Sequence, residues 1–171
     1  AMNALLVGAD RLGNIPDVLD SFGSPLTLNV VAGQTFTEDP PALTATGTLT
    51  NQIIFQKSGA GANPVLVKIT GVSTTTDFGF CISGGDYITF DGIDVNSSTA
   101  TTSTLNLEFG YLLRNASATN GAQNNTIKNC AITLNKNFVG TGSSGCIYSS
   151  VSTSQGAFTP TNATGANSNN K

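Results

Sequence analysis

Ile88-Thr89-Phe90-Asp91-Gly92-Ile93-Asp94-Val95 overlays Ile127-Lys128-Asn129-Cys130-Ala131-Ile132-Thr133-Leu134 at an offset of 39 residues. Four apolar or small positions match in that overlay: Ile88 with Ile127, Gly92 with Ala131, Ile93 with Ile132 and Val95 with Leu134. In each copy the alternation slips by one residue, at Asp91-Gly92 and at Cys130-Ala131. Such a slip implies a sharp bend between two short strands that each keep an inward face. Leu107 and Ile147 supply a third apolar wall at nearly the same offset. Self-similarity at a fixed spacing changes the architecture to be inferred. A flat antiparallel sheet has no need of it, whereas a chain winding around a three-walled prism must set each apolar residue over its counterpart one coil below. The reading is an all-β chain, a right-handed parallel β-helix of about three to four coils, with strands hydrogen-bonded from rung to rung.

The rest of the chain fits around that pair. Strand-like runs with period two lie at 26–31, 53–57, 65–70, 78–82, 87–95, 105–113, 126–134 and 146–151. Polar inserts at 97–104 and 140–145 lengthen the coils and are expected to bulge from one corner. Residues 1–25 differ from everything after them. Ile15, Val18, Leu19 and Phe22 recur at three- and four-residue spacing, Asn14 offers an N-cap, Pro16 sits in the first turn and Gly23 ends the pattern. These signals predict a short amphipathic helix capping the N-terminal end of a β-helix that occupies 26–171. At the other end Asn169-Asn170-Lys171 echoes Asn124-Asn125-Thr126. A new rung is expected to begin there, as in a fragment of a longer repeat protein whose end stacks or continues beyond residue 171.

Composition narrows the chemistry. Of 171 residues only 10% are charged, the net charge is −3, and His and Trp are absent. The usual general base and the commonest metal ligand are therefore missing. The five Lys and two Arg are scattered, which argues against nucleic acid as a partner. No apolar run approaches the roughly 20 residues of a membrane span. Ala1 to Asp10 lacks the layout of a signal peptide, as expected of a secreted chain already processed. Gly, Ser, Thr and Asn fill 77 positions. In stacked parallel rungs like charges would repel along the ladder, whereas Asn, Ser and Thr bond up and down it, and Asn124, Asn125 and Asn129 suit that role. Cys81, Cys130 and Cys146 match no zinc spacing and read as small buried hydrophobes, with one disulfide left open.

Val31-Ala32-Gly33-Gln34-Thr35-Phe36-Thr37-Glu38-Asp39-Pro40, Phe55-Gln56-Lys57-Ser58-Gly59-Ala60-Gly61-Ala62-Asn63-Pro64 and Gly84-Gly85-Asp86-Tyr87-Ile88-Thr89-Phe90-Asp91-Gly92 resemble the opening coils of large secreted surface proteins of Bacteroidota-type bacteria. The resemblance implies a pectate-lyase-like right-handed β-helix and an extracellular or cell-surface location. Such proteins commonly carry a C-terminal sorting domain, which is not visible in these 171 residues. The resemblance transfers no catalytic residue. The His-Gly and Arg-x-Lys motifs of polysaccharide-cleaving β-helices are missing.

Candidate site residues are few. Asp86, Asp91 and Asp94 form the one dense acidic group, a calcium or hydrolase candidate, although the register predicts that the three diverge and that Asp86 and Asp91 cap turns. Glu108 is an acid or one half of an ion pair with Arg114. Tyr111 and Tyr148, with Glu108, are candidates for a sugar-stacking surface, and Tyr87 is the remaining tyrosine. Sequons stand at Asn96, Asn115, Asn124 and Asn162. Thr runs at 74–76 and 99–104 raise an ice-binding face but fall in irregular inserts. No cofactor is expected. The function expected is a non-enzymatic extracellular module, a stalk, adhesin or filament subunit that self-associates through exposed β-helix ends. The alternative is a β-helix that binds or degrades polysaccharide.

Overall fold

The computed structural model describes residues 24–67, 77–97, 107–135, 145–151 and 160–171. Among the described residues eleven strands run in chain order: β1 (Leu26–Val31), β2 (Thr35–Phe36), β3 (Ile53–Ser58), β4 (Val65–Val67), β5 (Phe78–Ser83), β6 (Ile88–Asp91), β7 (Asp94–Asn96), β8 (Phe109–Arg114), β9 (Thr126–Lys128), β10 (Ile132–Thr133) and β11 (Gly145–Ser150). They form three parallel sheets, β1-β3-β6-β9, β2-β4-β7-β10 and β5-β8-β11. The chain visits the walls in a fixed rotation. An isolated parallel bridge between Leu43 and Ile82 supplies the third-wall rung of the first coil. The result is a three-sided parallel β-solenoid. The capping helix expected at 15–22 and most of both inserts, 97–104 and 140–145, lie outside the described residues, as do the Thr runs at 74–76 and 99–104. Among the described residues no α-helix occurs, and the one helical turn is a 3-10 turn at Ala163–Gly165.

Equivalent side chains stack because the rungs are in register. Leu28, Phe55, Phe90 and Ile127 follow one another up the first wall. Phe36, Leu66, Val95 and Ile132 do so on the second wall, and Phe80, Tyr111 and Ile147 on the third. Phe90 lies at the centre: fully buried, it stacks on Phe55 with centroids 4.9 Å apart, and lies 5.0 Å from Phe80 and 5.2 Å from Tyr111. Each such ring contributes roughly 1.5–3 kcal/mol by burial alone.

The register corrects one expectation. Ile127 lies over Phe90, not over Ile88, and Ile132 lies over Val95, so the coil offset here is two residues shorter than the overlay gave. A shift of two leaves every side chain on its own face, so alternation alone cannot detect it. The backbone at the corner decides instead. Gly92 (φ 70°) and Asn129 (φ 56°) occupy the same bend in the left-handed region, and Asn and Gly are the residues that enter it at least cost. The third wall also differs from expectation. Leu107 precedes β8, and Ile147 lies over Tyr111.

A second slip of alternation, at the entry to the third wall, is set by Gly79 and Gly110. A Cβ on Gly79 would stand 2.7 Å from both Val95 Cγ1 and Gly110 O, and one on Gly110 would collide with Ile132 Cγ2. The bare glycines let the second and third walls close on each other. Phe80 and Tyr111 then enter the core, while Phe78 and Phe109 join Cys81, Leu112 and Ala42 in a separate outer cluster.

The corner before the first wall carries a ladder of asparagines. Tyr87, Asn124 and Asn169 hold left-handed φ values of 53°, 56° and 58° in successive coils. After the last two comes an amide clamp on the coil below. Asn125 Oδ1 accepts from Ile88 N and its Nδ2 donates to Gly85 O, each at 2.9 Å. Asn170 repeats the pattern one coil on, accepting from Asn125 N and donating to Ala122 O, each at 2.9 Å. Lys171 N donates to Asn125 O and Ile127 N donates to Lys171 O, so Lys171 lies beside Thr126, as the sequence echo implied.

Candidate functional site

The acidic candidates separate into two places. Asp86 sits at the corner before β6, where its Oδ1 accepts from Gln123 N at 2.7 Å. Burial pushes its carboxyl above the usual range, with that backbone bond opposing. Asp91 ends β6 and Asp94 begins β7, on either side of the Gly92 bend. These two do not diverge entirely, since asparagine amides connect them. Asn129 Nδ2 donates to Asp91 Oδ1 at 2.7 Å, and Asn63 Nδ2 donates both to Asn129 O at 2.9 Å and to Asp94 Oδ1 at 2.7 Å. Asp94 Oδ1 also accepts Ala131 N at 2.8 Å, in place of a backbone partner.

Around this network an open groove of about 370 Å³ is lined by Gln56, Lys57, Asn63, Asp91, Gly92 and Asn129. Its floor is the bare Gly92, where a Cβ would stand 3.3 Å from Asn63 Oδ1 and from Lys57 Cβ. Lys57 Nζ donates to Gly61 O at 3.0 Å across one rim. Lys128 Nζ stands 3.2 Å from Asp91 Oδ2 on the other. The Asn129 amide, helped by Lys128 and Lys57 against some desolvation, holds the Asp91 carboxyl below the ordinary range. Asp91 is therefore an ionised acceptor at neutral pH, and both its oxygens are already engaged. Among the described residues, no three or more His, Cys, Asp or Glu side chains converge as a metal site would require.

The other candidates lie elsewhere. Glu108 Oε2 accepts from Asp77 N at 2.6 Å, and the Arg114 guanidinium lies 5.9 Å from the Phe78 ring centre. Tyr111 is 1% exposed, and its hydroxyl donates to Ile93 O at 2.7 Å. Burial drives its phenol well above the usual range. Tyr148 is 40% exposed and stacks on Phe109 with centroids 4.4 Å apart. The two tyrosines thus share no surface. The Gly110 slip leaves Phe109 facing outward and Tyr111 facing inward, which simple alternation did not convey. Cys81, Cys130 and Cys146 are free thiols, buried, half-buried and exposed respectively. Burial raises Cys81 to about 12.

Sequence reasoning missed Gln56, Lys57 and Asn63. Asn63 is 66 positions from the Asn129 carbonyl it binds, and only the inter-coil register brings them together. The available signal was the Gly-rich run before Asn63-Pro64, which marks a corner. Among the described residues no helix is long and apolar enough to cross a membrane. Neither the family models, nor the curated proteins, nor the solved structures offer a match to this chain.

Proposed function

We propose that this chain is a non-enzymatic extracellular structural module, a rigid β-helical stalk, adhesin or filament subunit. One observation carries the reading: the carboxylates of the corner groove are engaged by Asn63, Asn129, Lys128 and the Ala131 N–H, which tie one coil to the next. Groups fixed in that way hold a scaffold rather than wait for a proton. A right-handed winding is proposed because parallel crossover connections take that hand in about 98% of cases. The low charge and the resemblance to secreted Bacteroidota-type surface proteins support the extracellular location. End-to-end association is the filament version of the reading. Sedimentation over a range of concentrations with electron microscopy tests it, and monomers alone at every concentration would remove it.

The open groove favours one alternative, a polysaccharide-binding module. Its amides, ammonium and carboxylate are the groups that hydrogen-bond sugar hydroxyls. A glycan array and a reducing-sugar release assay separate the readings. The structural module gives silence in both, binding abolished by Lys57→Ala supports the alternative, and sugar release refutes the non-enzymatic reading.

A further inference from the structure

The four sequons are not equivalent in the folded chain. Asn115 is 0% exposed, and its Nδ2 donates to Ser117 O and to Gly165 O. Asn124 is half-buried in a left-handed corner, and the third residue of its sequon, Thr126, is held within β9. Asn96 is followed by Ser97, which is 1% exposed. Asn162-Ala163-Thr164 is exposed at all three positions. Asn162 has extended backbone (φ −155°, ψ 176°) and precedes the 3-10 turn. Its Oδ1 accepts from Gly165 N at 2.9 Å, and the Thr164 hydroxyl lies 2.8 Å from that same oxygen. The carbonyl end of the side chain is thus fixed by the Gly165 N–H, and the third-position hydroxyl that such acceptors require lies beside it, also 2.8 Å from Thr119 O. The Asn115 amide, by holding Gly165 O, anchors the turn that presents Asn162.

We infer that Asn162 is an N-glycan acceptor site and that folding selects it over the sequons at Asn115 and Asn124. In the transfer step Asn162 Nδ2 attacks the anomeric carbon of a lipid-pyrophosphate-linked oligosaccharide. The C1–O bond breaks, the pyrophosphate leaves with the electron pair, and the nitrogen's proton passes to a base of the transferase.

The test uses the folded full chain, a single-subunit oligosaccharyltransferase and a lipid-pyrophosphate-linked oligosaccharide, with occupancy read by glycopeptide mass spectrometry. Synthetic peptides Leu113–Thr119 and Pro160–Ala166 run in parallel as unfolded references. The expected result is modification of both peptides, but in the folded chain occupancy at Asn162 exceeding that at Asn115 and Asn124 by roughly tenfold or more, since buried acceptors react only through local opening. Thr164→Ala abolishes the modification and Thr164→Ser retains it, in the chain and in the peptide alike. An unmodified Asn162 in the folded chain, a peptide Pro160–Ala166 that does not react, or equal occupancy at Asn115 would each overturn the assignment.

Discussion

Asn125 is 1% exposed, and its side chain accepts from Ile88 N–H and donates to Gly85 C=O at the corner before the first wall. Truncation in Asn125→Ala leaves both backbone groups buried and unpaired. At about 1–3 kcal/mol for each orphaned group, the loss comes to roughly 2–6 kcal/mol. Against a total of about 5–15 kcal/mol for an ordinary domain, that is a large fraction. Asn125→Asp is the sharper probe. One oxygen keeps the Ile88 N–H, but the other then faces the Gly85 carbonyl, acceptor against acceptor. The new carboxyl therefore has a folded-state pKa above its unfolded value of about 3.9. The folded state binds the proton more tightly, so the variant gains stability relative to the wild type as pH falls from 7 through that raised pKa. Urea unfolding followed by far-UV circular dichroism, at pH 7 and pH 5, measures both effects. Gln56→Ala is the control, because Gln56 lies in regular strand and its amide reaches the Asn29 side chain in an exposed bond between coils. If Asn125→Ala costs no more than Gln56→Ala, or Asn125→Asp shows no gain on acidification, the amide clamp is not what secures this corner.

Three further outcomes are expected. Gly110→Ala drives a Cβ into Ile132 Cγ2 and to 2.7 Å from Cys146 O, and should destabilise by about 1–3 kcal/mol, visible as a lower urea midpoint; an unchanged midpoint would contradict the close approach of the second and third walls. Cys81, raised to about 12 by burial, should resist thiol reagents at pH 8 until the chain unfolds, while the exposed Cys146 reacts at once; mass mapping of the labelled peptides checks the order. Asp91 has a depressed folded-state pKa, so its contribution to stability is present above the unfolded value and fades as pH falls through the folded one. Asn129→Ala should therefore move the Asp91 titration, followed by NMR, back up toward 3.8, and a fixed titration would show that the amide is not the cause.

Much of the fold was legible because its signals are local. The period-two runs, the bend at Gly92 and the echo of Asn124-Asn125-Thr126 in Asn169-Asn170-Lys171 are properties of short stretches, and each has its structural counterpart. The exact coil offset was not legible, since a two-residue slip preserves inward and outward faces and only the left-handed φ of Asn129 breaks the tie. Gly79 and Gly110 were equally silent. A glycine in a strand run looks like weakness until the neighbouring wall is seen to occupy its missing Cβ. The corner groove was legible only in part. Asp91 and Asp94 stood out as rare charges, whereas Asn63 is one of 18 asparagines, and its role arises from the coil stacked above it.

The register has a mechanical consequence. Along the first wall Leu26 pairs with Ile53, 27 residues on, Ile53 with Ile88, 35 on, and Thr89 with Thr126, 37 on. Tension applied along the solenoid axis pulls lengthwise on the bonds between neighbouring coils, so the molecule should yield by peeling, one turn after another. Each turn stores about 10–13 nm of slack chain, at roughly 3.6 Å per extended residue. A body built in this way absorbs a sudden load in instalments, and can rewind when the pull relaxes.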